Sequence, residues 1–118
     1  MEALGAVAKQ IEEAVMTWAG VSTMPHRFGG REFRVGRREL GHLHGGTLLD
    51  LPFPVQIRRR LVDDGRASVH HILPDSGWVS FYIRESEDIP RAIALLRLNY
   101  ERPWLATPEQ QVRSPGGS

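Results

Sequence analysis

The chain of 118 residues has no cysteine, one lysine, no long apolar run and a net charge of only +1. Each absence removes a class of function. Without thiols there is no disulfide framework, no Cys-based zinc or iron–sulfur centre and no thiol nucleophile. That suits a reducing compartment, and a cytoplasmic location is expected. No stretch approaches the ~20 apolar residues that a membrane-spanning helix needs. The N-terminal segment, charged at Glu2, Lys9, Glu12 and Glu13, lacks the apolar run of a secretion signal. No membrane partner is expected. A charge near zero gives no general pull toward nucleic acid, which is therefore disfavoured as a partner. The length fits one domain, residues 1–103, followed by a tail, 104–118, whose polar Ser-Pro-Gly-Gly-Ser end predicts poor order.

The charges and ligand-capable side chains that are present fall in groups. Fourteen of the fifteen cations are Arg, with Arg27, Arg31, Arg34, Arg37 and Arg38 close together and Arg58, Arg59 and Arg60 consecutive. Guanidinium suits carboxylate, phosphate or aromatic faces, although salt bridges and strand-edge protection use the same charges. Four of the five histidines form two pairs, His42 with His44 and His70 with His71. Histidine titrates near neutrality, so the pairs point to a proton-transfer, metal or anion site.

Apolar spacing predicts a helix from residue 3 to about 19, ended by Gly20, and then a connection to residue 27. Alternation at Phe33 and Val35 predicts a strand, and Gly36-Arg37 a turn into a second strand over 38–44. On that strand period two puts Leu40, His42 and His44 on one face and Glu39 and Leu43 on the other. Gly45-Gly46 and Leu51-Pro-Phe-Pro54 read as loop, followed by a short helix from Val55 to Gly65. Residues 67–73 and 78–83 predict a second hairpin around Pro74-Asp-Ser-Gly77, which sends His70 and His71 to opposite faces. A last helix starts near Ser86 or Asp88 and stops at Pro103. The fold class is α+β, an antiparallel sheet of two hairpins with three helices in the order α-β-β-α-β-β-α.

Pro25-His-Arg-Phe-Gly-Gly30, Glu32-Phe33, Gly41-His-Leu-His-Gly45, Leu51-Pro-Phe53 and Pro74-Asp-Ser-Gly-Trp-Val-Ser80 together resemble the luciferase-domain family over residues 10–102. That family is named for the luciferase of glowing fungi and has short bacterial members. The element order is also similar to MmcQ/YjbR-like domains, a likeness of fold alone. The fungal luciferase oxidises a hydroxylated pyrone with molecular oxygen and no bound metal or flavin. The resemblance thus implies a small anionic or aromatic ligand and cofactor-independent, oxygenase-type chemistry.

Such chemistry needs a base, groups that hold the resulting anion, and shelter from water. The candidate catalytic residues are His42, His44 and His71. Candidate ligand-binding residues are His26, Arg27, Arg34, Arg38, His70, Asp75, Ser76, Trp78 and Ser80. Several also have plain structural uses: Asp75 and Ser76 in a turn, Trp78 in the core, His26 in a loop hydrogen bond. A metal reading would use His42 and His44 with His70 or His71 and a carboxylate from Glu39 or Asp75. Because Glu39 is placed on the other strand face and no His-x-x-x-His signature occurs, no metal and no cofactor are expected. The alternative function is a non-catalytic binding module for nucleic acid or a protein partner, built on the Arg groups. A monomer or a homodimer is equally compatible with exposed edge strands.

Overall fold

A computed structural model describes residues 2–26 and 30–105. Helix α1 (Glu2–Val15) leads into β1 (Val21–His26), β2 (Gly30–Val35), β3 (Arg38–His44) and β4 (Leu48–Pro52), then α2 (Val55–Asp63), β5 (Ser68–Val69), β6 (Trp78–Tyr82) and α3 (Asp88–Leu105). The six strands form one antiparallel sheet in the order β1-β2-β3-β4-β6-β5. The α+β class and the three helices are as expected. Two strands are additions.

The first addition is β1, read from sequence as a connection. It pairs along its whole length with β2, from Val21 opposite Val35 to His26 opposite Gly30. As an edge strand it tolerates Pro25, which has no N–H to give a ladder. The second is β4, where the prolines at 52 and 54 suggested loop. Pro52 ends the strand instead of preventing it, and Gly45, at φ 58°, makes the left-handed turn that brings β4 back along β3. Conversely, the expected strand over 67–73 shrinks to the two residues of β5, and His70 onward is loop.

Alternation explains how the sheet divides into faces. Leu49, Leu51 and Val79 are fully buried in the core with Ile11 and Val15 of α1 and Leu95 and Leu96 of α3. Gly41 belongs to this side. A Cβ there would stand 3.2 Å from the Leu96 side chain and 2.9 Å from the Asp50 carbonyl oxygen, so the missing side chain lets α3 lie close on β3 and β4. Tyr100 completes the seam, its ring 5.3 Å from that of Trp18 and its hydroxyl donating to the Ala19 carbonyl at 2.7 Å.

Helix α3 continues through Pro103 to Leu105, beyond its expected end. A proline at this point has no N–H to give the carbonyl four residues back. That carbonyl, on Asn99, accepts from Arg38 Nη1 at 3.0 Å, so no acceptor is orphaned. Of the tail expected to be poorly ordered, 104–118, residues 104 and 105 continue the helix and the rest lies outside the described residues.

At the other end of α3 the Asp88 carboxylate accepts the backbone N–H groups of Arg84 at 2.8 Å and Glu85 at 3.1 Å, and pairs with Arg91 at 3.2 Å. The bond from Arg84 N–H, ahead of those from Glu85 and Arg91, holds its pKa below the ordinary carboxylate value. A depressed folded-state value means stability that is present at neutral pH and lost as pH falls through that value. Thermal melts of the wild type and Asp88→Asn should therefore differ at neutral pH and converge in acid. A difference independent of pH would show that the charge is not what Asp88 contributes.

Candidate functional site

The sheet register assembles one polar row. Glu32 on β2 stands opposite His42 on β3, His42 opposite Asp50 on β4, Asp50 opposite Ser80 on β6, and Ser80 opposite Ser68 on β5. Directly paired residues project to the same face, so five strands place these side chains in line. His44, two residues beyond His42, joins them.

Asp50 is the centre of the arrangement and is only 1% exposed. Its Oδ1 accepts the Ser80 hydroxyl at 2.7 Å. Around its Oδ2 lie the Nε2 atoms of His44 at 3.0 Å, His71 at 3.1 Å, His70 at 3.4 Å and His42 at 3.6 Å. Four imidazoles thus converge on one carboxylate oxygen.

Two departures from regular strand geometry make this possible. In β3, Arg34 faces Glu39 and Phe33 faces Gly41, leaving Leu40 as the extra residue of a β-bulge. The bulge resets the alternation. Leu40 joins the core at 0% exposure, while Glu39 turns to the histidine side and its Oε2 bonds His42 Nδ1 at 2.7 Å. This corrects the expectation that Leu40 shares the face of the histidines and that Glu39 leaves it. The second departure is that His70 and His71 lie past the end of β5, free of period two. Their rings stack with centroids 4.4 Å apart and both reach Asp50, so they do not take opposite faces.

The protonation of these rings follows from their second nitrogens. His70 Nδ1 accepts the N–H groups of Ile72 at 3.1 Å and Leu73 at 3.0 Å, so it carries no proton and the ring hydrogen sits on Nε2, facing Asp50. Burial, with the nearby His71 and His42 charges, outweighs Asp50 and pushes the His70 pKa down, which agrees with a neutral ring. For His42 burial again opposes charge, but hydrogen bonds and charge from Asp50 and Glu39 prevail and raise its pKa to about 9. Burial would raise Asp50 too. Hydrogen bonds from His42, Ser80 and His71 instead hold it well below the carboxylate range.

The remaining candidates separate into those near the cluster and those engaged elsewhere. Trp78 lies against it, 5.3 Å from the His42 ring and 5.8 Å from that of His70. Ser76 accepts the Trp78 N–H at 3.1 Å and donates to the Leu73 carbonyl at 2.7 Å, shaping the loop that carries His70 and His71. Asp75 is an exposed residue of the same turn. Arg34 pairs with Glu32 and donates to the Arg37 carbonyl at 3.1 Å. Arg38 grips the end of α3 through the Asn99 and Tyr100 carbonyls at 3.0 and 3.3 Å. The Arg27 residue and the His26 side chain lie outside the described residues. A hollow of about 600 Å³ between the β5–β6 edge and α3, lined by Arg66, Tyr82, Arg84, Asp88 and Arg91, contains none of the histidines.

Asp50 and Glu39 complete the cluster, and sequence reasoning had omitted the first. A signal was present, since Leu49-Asp-Leu51 places one acid between two leucines at strand period, the pattern of a charge on the far side of a buried strand. Among the described residues no helix is long and apolar enough to cross a membrane. No curated protein and no solved structure shows significant similarity to the chain, so the likeness in element order to MmcQ/YjbR-like domains finds no match there. A family match does exist, to the luciferase domain over residues 37–99, more than half of the chain and the span that holds all four clustered histidines, Asp50 and Trp78. The chain belongs to the luciferase-domain family.

Proposed function

We propose that the histidine face binds a small, flat, oxygen-bearing ligand, anionic or aromatic, and moves a proton to or from it as the opening step of an oxygenase-type reaction. The observation that carries this reading is the convergence of four imidazoles on the buried Asp50 beside the Trp78 ring. His44 and His71, with side chains 37% and 33% exposed, are the rings an incoming molecule meets. Trp78 offers a π-face for a planar ligand, and the exposed Ile72 and Leu73, next in the chain to His71, offer apolar contact. Removing a proton from an enolic ligand leaves the electron-rich anion that reacts with oxygen. With Arg34 and Arg38 engaged elsewhere, imidazole rather than guanidinium meets the ligand's charge.

Nuclear magnetic resonance of the full chain tests this, with a hydroxypyranone, benzoate and phenyl phosphate as probes. Shifts are expected at the Trp78 indole and the His44 and His71 rings, and His71→Ala should weaken binding by about tenfold, the loss of one hydrogen bond to a charged group. Shifts confined to Arg58, Arg59 and Arg60 on α2 would instead favour a phosphate-binding module. No shift with any probe would remove the reading.

A further inference from the structure

We infer that His42, His44 and Asp50 form a binding site for a divalent first-row transition-metal ion, of the zinc or iron(II) type, on the polar face of β3 and β4. The inference adds an ion to the ligand site proposed above and does not require the organic ligand to be present.

The spacing of the donor atoms is the first argument. Atoms each ~2.0–2.2 Å from one four-coordinate ion stand roughly 3.3 Å from one another. Asp50 Oδ2 lies 3.0 Å from His44 Nε2 and 3.6 Å from His42 Nε2, which brackets that value. The three ligand atoms all lie within 4.8 Å of one another. They come from adjacent strands in fixed register, His42 directly opposite Asp50, so the set is held by backbone pairing and not by flexible loops.

The second argument is the orientation of the rings. His42 Nδ1 bonds the Glu39 carboxylate at 2.7 Å, which keeps a hydrogen on that side and turns Nε2 toward the cluster, where a bound ion takes the place of the Nε2 proton, released to solvent. A carboxylate behind a ligating imidazole is the usual support of a metal-bound histidine. The bulge at Leu40 is what puts Glu39 there. His70 plays the opposite part. With Nδ1 occupied by two backbone N–H groups, its Nε2 carries hydrogen and donates toward Asp50, so it orients the carboxylate and is not a ligand. Ser80 fixes the other carboxylate oxygen. His71 lies 3.1 Å from Oδ2 and can hold that oxygen or fill a further coordination position.

Charge is the third argument. Among the described residues the cluster contains the Asp50 and Glu39 carboxylates and no guanidinium, because Arg34 and Arg38 are bound to Glu32 and to the end of α3. A cation fits beside these two carboxylates and would itself hold an oxygen of an anionic ligand. Two histidines and one carboxylate leave coordination positions open to water or to an oxygen of a bound ligand.

The test uses the metal alone. Full-length protein stripped by a chelator is titrated with Zn²⁺ in a calorimeter and with Co²⁺ followed by visible absorption. About one ion per chain is expected, with the intense bands of four- or five-coordinate Co²⁺. His44→Ala, a truncation of a partly exposed ring, should lower the affinity by at least about 100-fold, and Glu39→Gln by roughly 10-fold to 100-fold, while circular dichroism shows the fold intact. Glu12→Gln, at the α1–β2 ion pair, should change nothing. Absence of binding, an octahedral aqueous Co²⁺ spectrum, or equal Zn²⁺ affinity in wild type and His44→Ala would overturn the inference. Those outcomes leave the organic-ligand titration to stand or fall separately.

Discussion

Gly77→Ala should destabilise the protein by at least about 2–3 kcal/mol in urea denaturation, the upper range for an added carbon that its surroundings cannot accommodate. A Cβ at this position would stand 1.7 Å from the Phe53 carbonyl oxygen and 2.9 Å from its carbon. Those are backbone atoms of the segment between β4 and α2, so no rotamer change relieves the contact. The two segments also hydrogen-bond here, Phe53 N–H donating to the Gly77 carbonyl at 3.2 Å. The loop must therefore lift, and with it His70 and His71, whose ring resonances should lose their dependence on Asp50. Gly5→Ala is the control. It sits on α1 with open space around it, and the same change should stabilise by about 0.5–1 kcal/mol through helix propensity. Equal melting points for wild type and Gly77→Ala would show that the loop does not rest on Phe53.

Asn99→Leu should be at least as costly, on the order of 3–5 kcal/mol by the same measurement, because two buried carbonyls lose their donor. Asn99 is fully buried, and its Nδ2 donates at 3.0 Å to both the Leu40 and the Pro52 carbonyls. Its Oδ1 accepts from Arg38 at 3.2 Å and Arg102 at 3.1 Å. One side chain thus joins α3 to the bulge of β3 and to the end of β4. Asn99→Asp keeps the shape but turns an oxygen toward two carbonyl oxygens, and it should recover little of the loss. A cost below about 1 kcal/mol for Asn99→Leu would mean that water replaces these bonds. The bulge that aims Glu39 at His42 should also loosen in this variant, so the His42 ring resonance is a second readout.

How far each feature was legible depends on whether its cause is local. The amphipathic spacing of α1, the turn at Gly36-Arg37 and the start of α3 at Asp88 follow from neighbouring residues, and the structure has them where the pattern places them, although α1 stops at Val15, short of the end near residue 19 expected from Gly20. β4 was obscured because Pro52 and Pro54 speak for loop at short range, whereas its strand state comes from pairing with β3 on one side and β6 on the other. The helix beyond Pro103 is similar, since the cation that satisfies the Asn99 carbonyl belongs to Arg38, 61 residues away. Period-two reasoning placed His42 and His44 together correctly. It failed for Glu39 and Leu40 because one bulged residue reverses the phase, and for His70 and His71 because they had already left the strand.

The sequence by itself determined the α+β class, the lack of thiol chemistry and a concentration of histidines with a family resemblance attached. Only the tertiary structure decided that four of those histidines meet, and that they meet on Asp50. The physical reason is that side-chain type and period are properties of a segment, while register, a bulge and a docked loop arise from contacts between segments far apart in the chain.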